Sequence, residues 1–428
     1  MRIVKGLEAG RKSLSRRVYP GPDTDEREQV VRQIITHVAS RGDAAVREYT
    51  HKFDRVALDS LEVGKDEVAA ACKQLAPGLR SALELAAGRI RAFHEKQMAV
   101  VRSGDGGPGL SWLVRPLSRV GVYAPHGTAP YPSSLLMTAV PAKVAGVPEV
   151  ILATPRGRDG SLPAATLAAA DIAGVDRIFS IGGAQAIAAL ALGTESVPQV
   201  DKVCGPGNIY VMLAKKLLFG VVGIDALQGP SEVLIIADES ADPEYCAADL
   251  LAQAEHDELA EAVLVTTSAD LAEKVVKAVE RQVGELSRKE IAAGSLEKNG
   301  RVVLVEGIDE AIQLANLYAP EHLLLMVDNA ASYVERLSSA GCIVLGDRAT
   351  VVLGDYVAGP SHVLPTQGTA RFSSPLSVLD FVKLTNVISV DERSLNELAE
   401  AAMAIADFEG LDAHTRAVAK RLGGGKRG

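Results

Sequence analysis

Histidines close to carboxylates or amides are the residues of this chain best suited to chemistry. Four of its eight histidines lie in short segments of the second half, at His256, His322, His362 and His414. Imidazole and oxygen ligands together can bind zinc or manganese, and a neutral imidazole can accept a proton from a hydroxyl at neutral pH. Because every segment carries such a neighbour, convergence on one site explains the pattern better than coincidence.

The first segment, Gln253-Ala-Glu-His256, lies near the end of a predicted helix. Asp242 and Pro243 predict its beginning, as N-cap and first-turn proline. The i, i+3 spacing places Gln253 and His256 on one helix face, where an amide oxygen and an imidazole nitrogen could bind one metal ion. A solvated helix face or a cap is the commoner origin of such a pair.

The second segment follows Pro320, where Glu321 and His322 directly precede an apolar predicted strand at 323–327. Catalytic groups concentrate where strands meet loops. An imidazole beside a carboxylate can remove a proton from a hydroxyl or activate water. The alternative is a structural histidine held by backbone partners.

The last two segments add further donors. Asp355 and His362 lie in a stretch punctuated by glycine and proline, which turn chemistry alone also explains. Glu409 precedes His414, although Glu409 and Asp412 could equally cap the helix that carries His414. The number of histidine segments, and the carboxylate or amide beside each histidine, therefore favour a shared site more than any single segment does.

Strands and helices alternate from about residue 119, which is typical of βαβ units around largely parallel sheets. One predicted strand series lies at 118–123, 149–153, 177–181 and 202–204. A second series lies at 232–237, 261–266, 301–305, 323–327 and 341–345. The chain before residue 100 and after Phe381 is predicted to be mainly helical. At 428 residues, two large domains or one large domain plus smaller pieces are expected.

Two glycine turns follow strands of the first series, Gly182-Gly-Ala-Gln185 and Gly205-Pro-Gly-Asn208. Helix N-termini and exposed amides at such turns can bind phosphate or a nucleotide. Neither turn matches G-x-G-x-x-G, and tight strand-to-helix connections would also use these residues. A dinucleotide is one interpretation, and a purely structural turn is the other.

Charge and composition narrow the range of partners. The net charge of −9 works against nucleic acid and anionic lipid, and no apolar stretch reaches the length of a membrane span. The N-terminal sequence lacks the apolar block of a secretory signal, which predicts a cytoplasmic protein. The four cysteines form no C-x-x-C pair, so buried free thiols are expected. A small molecule is the expected partner.

Short motifs carry a family signal over nearly the whole chain. In chain order they are Arg41-Gly-Asp-Ala-Ala, Tyr49-Thr-His-Lys-Phe-Asp, Val120-Gly-Val-Tyr-Ala-Pro, Tyr131-Pro-Ser-Ser, Gly182-Gly-Ala-Gln-Ala, Gly205-Pro-Gly-Asn, Gly229-Pro-Ser-Glu-Val, Gln253-Ala-Glu-His-Asp, Pro320-Glu-His-Leu, His362-Val-Leu-Pro-Thr and Ala370-Arg-Phe-Ser-Ser. At these separations they resemble the histidinol dehydrogenase family. Its members oxidise L-histidinol through L-histidinal to L-histidine, in the last steps of histidine biosynthesis.

The resemblance implies an α/β fold of two incomplete Rossmann-like α/β/α domains with helical N-terminal and C-terminal extensions, in an intertwined homodimer. With the predicted elements, it divides the chain into an N-terminal extension at 1–22, a larger α/β domain at 23–122 plus 232–375, a nicotinamide-binding domain at 123–231, and a C-terminal helical extension at 376–428. The larger domain would carry metal and catalytic residues. The C-terminal extension would reach the partner subunit.

The resemblance also implies one zinc ion per subunit, bound by Gln253, His256, Asp355 and His414. The imidazole and amino nitrogens of the substrate would complete the coordination. Glu409 and His414 would come from the neighbouring subunit. Zinc would mainly orient the substrate, since it has no redox chemistry.

NAD is the implied cosubstrate, with Tyr123, Gln185 and Asn208 at the nicotinamide site. Glu321 and His322 occupy the acid–base positions: His322 would remove the hydroxyl proton as hydride leaves for the first NAD, and Glu321 would activate water for the aldehyde before a second transfer. The implied substrate contacts are Ser231, Gln253, His256, His322, Asp355, His362, Glu409 and His414.

Two rival functions use the same residues. A paralogous zinc- and NAD-dependent dehydrogenase could act on another small alcohol, although His362 and Glu409 argue against it. A binding protein could have lost catalysis, but the Glu321–His322 pair is intact. An alcohol and aldehyde oxidoreductase acting on histidinol is therefore the preferred function.

Three positions depart from the family pattern. His126 stands where a Pro-Gly-Gly turn is usual, Gln228 precedes Gly229 where alanine is common, and Pro375 replaces a frequent glycine. None is an implied metal ligand. His126 is close to the expected nicotinamide site, so these departures bear most on cofactor affinity.

Overall fold

The structure is a computed structural model that describes residues 1–16, 24–125, 131–157 and 159–422. The strands in these ranges are β1 (Arg2–Lys5), β2 (Gly104–Gly107), β3 (Leu110–Pro116), β4 (Arg119–Tyr123), β5 (Glu149–Ala153), β6 (Arg177–Phe179), β7 (Lys202–Cys204), β8 (Gly223–Ile224), β9 (Glu232–Ala237), β10 (Glu261–Thr266), β11 (Arg301–Leu304), β12 (His322–Met326), β13 (Cys342–Leu345) and β14 (Val382–Ile388). The α-helices are α1 (Leu7–Leu14), α2 (Thr24–Asp54), α3 (Lys65–Gln74), α4 (Pro77–Val100), α5 (Pro132–Val144), α6 (Ala164–Ala173), α7 (Gly183–Leu192), α8 (Ile209–Leu218), α9 (Pro243–Ala254), α10 (Ala269–Gln282), α11 (Lys289–Asn299), α12 (Ile308–Tyr318), α13 (Val351–Tyr356), α14 (Glu392–Phe408) and α15 (Asp412–Leu422).

The chain divides into two compact units. The first unit comprises Met1–Met98 and Pro116–Phe381, and the second comprises Ala99–Arg115 together with the described part of the chain after Phe381. The first unit holds two parallel sheets, and the second holds a three-stranded sheet and helices α14 and α15. None of the helices in the described ranges combines the length and apolar character that a membrane crossing requires.

A five-stranded parallel sheet in the first unit has the order β6-β5-β4-β7-β8. The chain adds β5 and β6 on one side of β4, then returns to add β7 and β8 on the other. The connections after β4 and β7 therefore diverge, which creates a crevice at the carboxyl edge where α/β proteins bind ligands. Helices α7 and α8 pack against α2 and enclose one apolar core.

A six-stranded parallel sheet, ordered β1-β11-β10-β9-β12-β13, forms the other layer. Successive side chains of a strand point to opposite faces. Accordingly, Val233 and Ile235 of β9 join the core beneath α9 and α10, whereas Leu234 and Ile236 join the core beneath α1 and α12. Burial on both faces explains the nearly continuous apolar strands. The prediction of Rossmann-like α/β architecture with parallel sheets is confirmed.

Several strands lie outside the predicted series. β1 pairs with β11 and extends the six-stranded sheet, and β2 and β3 form an antiparallel hairpin in the second unit. The helical prediction after Phe381 is wrong at first, because the chain forms β14 before the helices begin at Glu392. β14 lies beside β3 in the sheet, and a local helical pattern cannot reveal a partner so distant in sequence. The predicted domain boundaries stay predictions.

Candidate active site

Glu321 and His322 lie at the amino edge of the six-stranded sheet, where β12 begins between β9 and β13. His322 is in register with Val233 and Cys342 on the neighbouring strands. Both side chains of the pair are buried, with 7% of Glu321 and 5% of His322 exposed. This amino edge is opposite to the carboxyl edge at which α/β proteins commonly bind ligands. His322 is the first residue of β12, and Glu321 directly precedes it.

Glu321 is held by the backbone of the adjacent strand. The Glu232 N–H donates to Glu321 Oε2 at 2.8 Å. Burial raises the pKa of Glu321 well above its usual range, the hydrogen bond from Glu232 opposes this rise, and the charges of Glu232 and Asp355 add to it. A carboxyl group with a raised pKa is a stronger base once it is ionised.

The His322 ring is buried and uncharged. Burial, together with repulsion from His362 and His256, lowers its pKa to about 3. Its Nε2 lies 4.0 Å from Glu321 Oε1 and 3.7 Å from Asp355 Oδ1. Its Nδ1 is buried without a hydrogen-bond partner in the part of the chain that the structure describes. A neutral imidazole in this position can accept a proton.

His362 connects the two layers of the first unit. Its Nδ1 donates to the Asp355 backbone carbonyl at 2.7 Å, which leaves Nε2 to accept from the hydroxyl of Ser134 on α5 at 3.0 Å. Burial lowers the pKa of His362 to about 4 and raises that of Asp355 to about 7. His362 thus holds the end of α13 through the backbone of Asp355.

Gln253 and His256 lie at the end of α9, as predicted from Asp242 and Pro243. Asp242 caps the helix by accepting from the Glu244 N–H at 2.8 Å. The Gln253 amide is buried, while solvent still reaches His256. The protein around the His256 ring nevertheless lowers its pKa, chiefly by desolvation. His256 is close enough to His322 and His362 to act on both electrostatically.

Three of the four implied metal ligands are free of competing hydrogen bonds. Within the described residues, the side chains of Gln253, His256 and Asp355 have no hydrogen-bond partner. Amide oxygen, imidazole nitrogen and carboxylate oxygen are suitable zinc donors, so this donor set fits the ion. No group of three or more His, Cys, Asp or Glu side chains with metal-binding geometry occurs in the described ranges. Gln253 is not of these types, and His414 belongs to the second unit.

The implied ligand His414 and the implied substrate contact Glu409 lie on the surface of the second unit. Glu409 follows the last residue of α14, and His414 lies in the first turn of α15. Both side chains are exposed. Asp412 begins α15, in agreement with its alternative interpretation as a helix-terminal residue. The role of Glu409 and His414 in a shared site stays a prediction.

The implied nicotinamide residues lie around the crevice of the five-stranded sheet. Tyr123 ends β4 and is buried, its hydroxyl accepts from the Gly183 N–H at 3.0 Å, and burial raises its pKa to about 12. Gly205 has φ +116°, and a Cβ there would overlap the Tyr123 carbonyl oxygen. Only glycine permits this approach, which brings the turns after β4, β6 and β7 together.

Gln185 and Asn208 present different groups at this crevice. The Gln185 side chain is buried on α7, and its Oε1 has no partner within the described residues. Asn208 caps α8, with its Oδ1 accepting from the N–H groups of Tyr210 and Val211 at 3.0 and 3.1 Å. The Asn208 oxygen is therefore engaged. Ser231, half-buried before β9, accepts from the Glu261 N–H through its carbonyl.

A buried ion pair supports the Gly205 turn. Lys215 contacts the Asp225 carboxylate and donates to the Gly205 carbonyl at 3.1 Å, while Asp225 accepts from the Gly205 N–H at 2.7 Å. The departure Gln228 accepts from Lys215 at 2.9 Å and donates to Asp225 at 3.1 Å. This substitution thus extends a polar network under the turn.

Sequence reasoning gave no role to several residues that the structure places near the site. Ser134, Asp54 and Glu232 are all part of the family motifs, but the motifs alone assign them no contact. The motifs themselves were the available signal, but their contacts join residues far apart in the chain. Of the other departures, Pro375 is half-buried in the first unit, and His126 lies outside the described residues.

Comparisons with known proteins agree with the family resemblance. A family model described as histidinol dehydrogenase matches residues 19–422. Histidinol dehydrogenase of Dehalococcoides mccartyi strain CBDB1 is 54% identical, covering 99% of this chain and all of the relative. That of Aquifex aeolicus is 52% identical over 93% of each chain. The crystal structure of histidinol dehydrogenase from Elizabethkingia anophelis superposes with a TM-score of 0.92 at 35% identity, covering 99% of this chain and 98% of that one.

Proposed function

The chain belongs to the histidinol dehydrogenase family, and we propose from this premise that the site around His322 carries out both oxidations of L-histidinol. The protein is an oxidoreductase of histidine biosynthesis that uses NAD and zinc. The observation that carries the site assignment is the buried, neutral His322 beside Glu321 and three donors without hydrogen-bond partners. Identity over nearly the full chain disfavours another small alcohol as the substrate.

His322 acts as the base of the first oxidation. It takes the proton of the alcohol hydroxyl while hydride leaves the same carbon for NAD, which produces L-histidinal. Its low pKa keeps the ring neutral at physiological pH, so the lone pair is available. Burial keeps water from competing for that lone pair.

Glu321 acts between the two oxidations. Its carboxylate takes a proton from the water that adds to the aldehyde carbon, while protonated His322 returns its proton to the aldehyde oxygen and becomes neutral again. His322 then removes a hydroxyl proton of the hydrate as the second hydride leaves the carbon for a second NAD. The product is the carboxylate of L-histidine. The raised pKa of Glu321 supports this role, because a carboxylate whose pKa is raised by burial is a stronger base toward the attacking water once it is ionised.

Gln253, His256 and Asp355, with His414 of the partner subunit, hold one zinc ion per subunit. When bound, zinc orients the imidazole and amine of the substrate and contributes no redox chemistry. The donor chemistry supports this set, as does the absence of hydrogen bonds to the first three side chains within the described residues. The remaining proposed substrate contacts are Ser231, His362 and Glu409.

Tyr123, Gln185 and Asn208 bind the nicotinamide end of NAD in the crevice of the five-stranded sheet. The unpartnered, buried Gln185 Oε1 supports this assignment, and so does the location between β4 and β7, where the connections diverge. His362 accepts a hydrogen bond from Ser134, which lies on α5 in the layer of the five-stranded sheet. That bond supports a single reaction centre served by both sheets.

The proposed dimer is an intertwined pair in which α15 of one subunit completes the site of the other. The second unit exposes large apolar side chains on α14: Leu398 is 59% exposed, Ile405 61% and Phe408 94%. On the first unit, Leu353 and Tyr356 flank Asp355 and are 46% and 52% exposed. Exposed apolar surface of this kind marks protein interfaces, and a second copy of the chain is the occupant that supplies His414. The absence of a nucleic-acid partner and a cytoplasmic location stay predictions.

Oxidation of L-histidinol by the zinc-loaded protein tests the function. We expect NADH absorbance to rise with L-histidinol and L-histidine to appear as the product. L-leucinol provides a matched amino alcohol without the imidazole, and it should give little NADH. Failure to oxidise L-histidinol with zinc present, or equal turnover of both alcohols, would contradict the proposal.

A further inference from the structure

Helix α13 carries Asp355 but has little to hold it in place. It spans only Val351–Tyr356, far below the length at which a helix is stable by itself. Val351 is its one fully buried residue among those described, whereas Leu353 and Tyr356 are about half exposed. Apolar burial therefore fixes α13 weakly, and its position must depend on specific contacts.

One such contact reaches α9, the helix that carries Gln253 and ends two residues before His256. The Thr350 hydroxyl donates to Asp249 Oδ1. The hydroxyl oxygen of Thr350 also accepts from the Val352 N–H at 3.3 Å, which makes Thr350 the N-cap of α13. A hydroxyl has a single donor hydrogen, so this arrangement fixes its direction. The first turn of α13 is thereby attached to α9.

Asp249 is placed to transmit this attachment to the metal ligands. It precedes Gln253 by four residues, hence by about one helical turn on the same face of α9. Only 5% of Asp249 is exposed, and Thr350 is its one hydrogen-bond partner among the described side chains. A buried carboxylate without a nearby cation is costly, and an apolar pair would fill the space more cheaply. Simple packing therefore does not explain the pair.

We propose that Asp249 and Thr350 are positioning residues that set the separation between the ligands at the end of α9 and Asp355 on α13, and so control zinc affinity. Neither residue is among the proposed metal ligands or substrate contacts. The inference rests on the proposed function, specifically on Gln253, His256 and Asp355 as ligands. Outer contacts that orient metal ligands typically change affinity by about 10–100-fold when they are removed.

Zinc affinity of the full-length protein, measured by competition with a chromophoric chelator, tests the link. Thr350→Val keeps the shape of the side chain but removes the hydroxyl, and Asp249→Ala removes the acceptor. Both should weaken zinc binding by about 10–100-fold. Thr350→Ser keeps the hydroxyl donor and Asp249→Asn keeps an acceptor oxygen. The zinc affinities of these two variants should therefore remain close to that of the parent. Circular dichroism checks that each apo variant is folded, and Thr350→Val serves if Asp249→Ala does not fold.

Ser268→Ala provides a matched control, because Ser268 caps α10 by accepting from the Leu271 N–H at 3.2 Å. It removes a cap hydroxyl from the same layer without touching α9 or α13 ligands, and zinc affinity should be unchanged. Unchanged affinity in folded Thr350→Val, or an equal loss in Ser268→Ala, would overturn the link. If His256→Ala also retains full affinity, the ligand assignment fails and the proposal fails with it. If zinc affinity falls in His256→Ala but not in folded Thr350→Val, the ligand assignment stands and only the link is overturned.

Discussion

At the scale of single residues, burial shifts the pKa values of both proposed acid–base groups. The loss of solvent keeps the His322 ring neutral and raises the pKa of Glu321, which makes its carboxylate a stronger base once it is ionised. The adjacent positions in the sequence identified these two groups, because a strand beginning at His322 puts both at one edge. Residue types and the family resemblance predicted that Asp355 and His362 would join them, but not the individual contacts, since those contacts join distant segments.

Replacing His322 with asparagine tests the base directly. We expect His322→Asn to lower kcat for L-histidinol by about 100- to 10,000-fold, the usual contribution of a general base. Zinc content should be unchanged, because His322 is not a proposed ligand. Steady-state kinetics and metal analysis of the same preparation measure both quantities. Retention of more than a tenth of the parent kcat would exclude His322 as the base.

Asp54 predicts a pH dependence of stability. Its Oδ2 is buried without a partner among the described residues, and burial raises its pKa from 3.8 to about 6. The unfolded chain therefore loses this proton at lower pH than the folded chain, so the stability contributed by the protonated group is lost as pH rises from about 4 to about 6. Asp54→Asn should stabilise the protein by about 1–2 kcal/mol above about pH 7, after allowance for solvent screening.

Chemical denaturation of parent and Asp54→Asn protein at about pH 4 and about pH 7.5 measures this difference. The two proteins should have similar stability at the lower pH and differ at the higher one. A constant difference across this range would mean that Asp54 titrates normally in the folded protein.

At the scale of elements, local pattern predicted the central strands well and the outer ones poorly. β5, β7, β9 and β10 have the predicted bounds, because each is an apolar run buried on both faces and followed by turn residues. β1 and β14 are short or largely exposed, and each depends on a partner strand far away in the sequence. No local signal specifies such a partner.

The segment after α1 is attached to the six-stranded sheet by an ion pair that can be tested. Arg16 contacts both carboxylate oxygens of Glu232, whose side chain is 2% exposed, and Glu232 also accepts from the Gln367 N–H at 2.9 Å. Arg16→Met leaves this buried carboxylate without its cation and should cost about 3–5 kcal/mol of stability. Urea denaturation measures the change in the free energy of unfolding.

Arg393→Met is the control for Arg16→Met. Arg393 pairs with Glu397 at 3.0 Å on α14, but the two side chains are 86% and 62% exposed. Exposed pairs contribute about 0–1 kcal/mol, so this change should be small. Equal effects of the two substitutions would show that burial of Glu232 does not matter for stability.

At the scale of the whole molecule, two sheets and a second copy of the chain make the proposed centre. The family resemblance suggested the sharing of Glu409 and His414, which composition and periodicity could not. Their exposure on the second unit, with the apolar surface of α14, is the physical reason to expect a partner. A homodimer places two equivalent sites under one two-fold axis.

Hybrid dimers test this sharing. His256→Ala and His414→Ala should each abolish activity when expressed alone. Co-expressed with different affinity tags, they should form mixed dimers that contain one intact site, and a random mixture should recover about a quarter of the parent activity. Purified mixed dimers without activity would place both histidines in the site of a single chain.

The ratio of NADH formed to L-histidinol consumed tests the central claim most directly, because it counts the hydrides removed at this site. With excess NAD and zinc-loaded protein, the reaction taken to completion should give two NADH for each L-histidinol, with L-histidine as the product. A ratio of one with accumulation of L-histidinal would contradict a site that performs both oxidations.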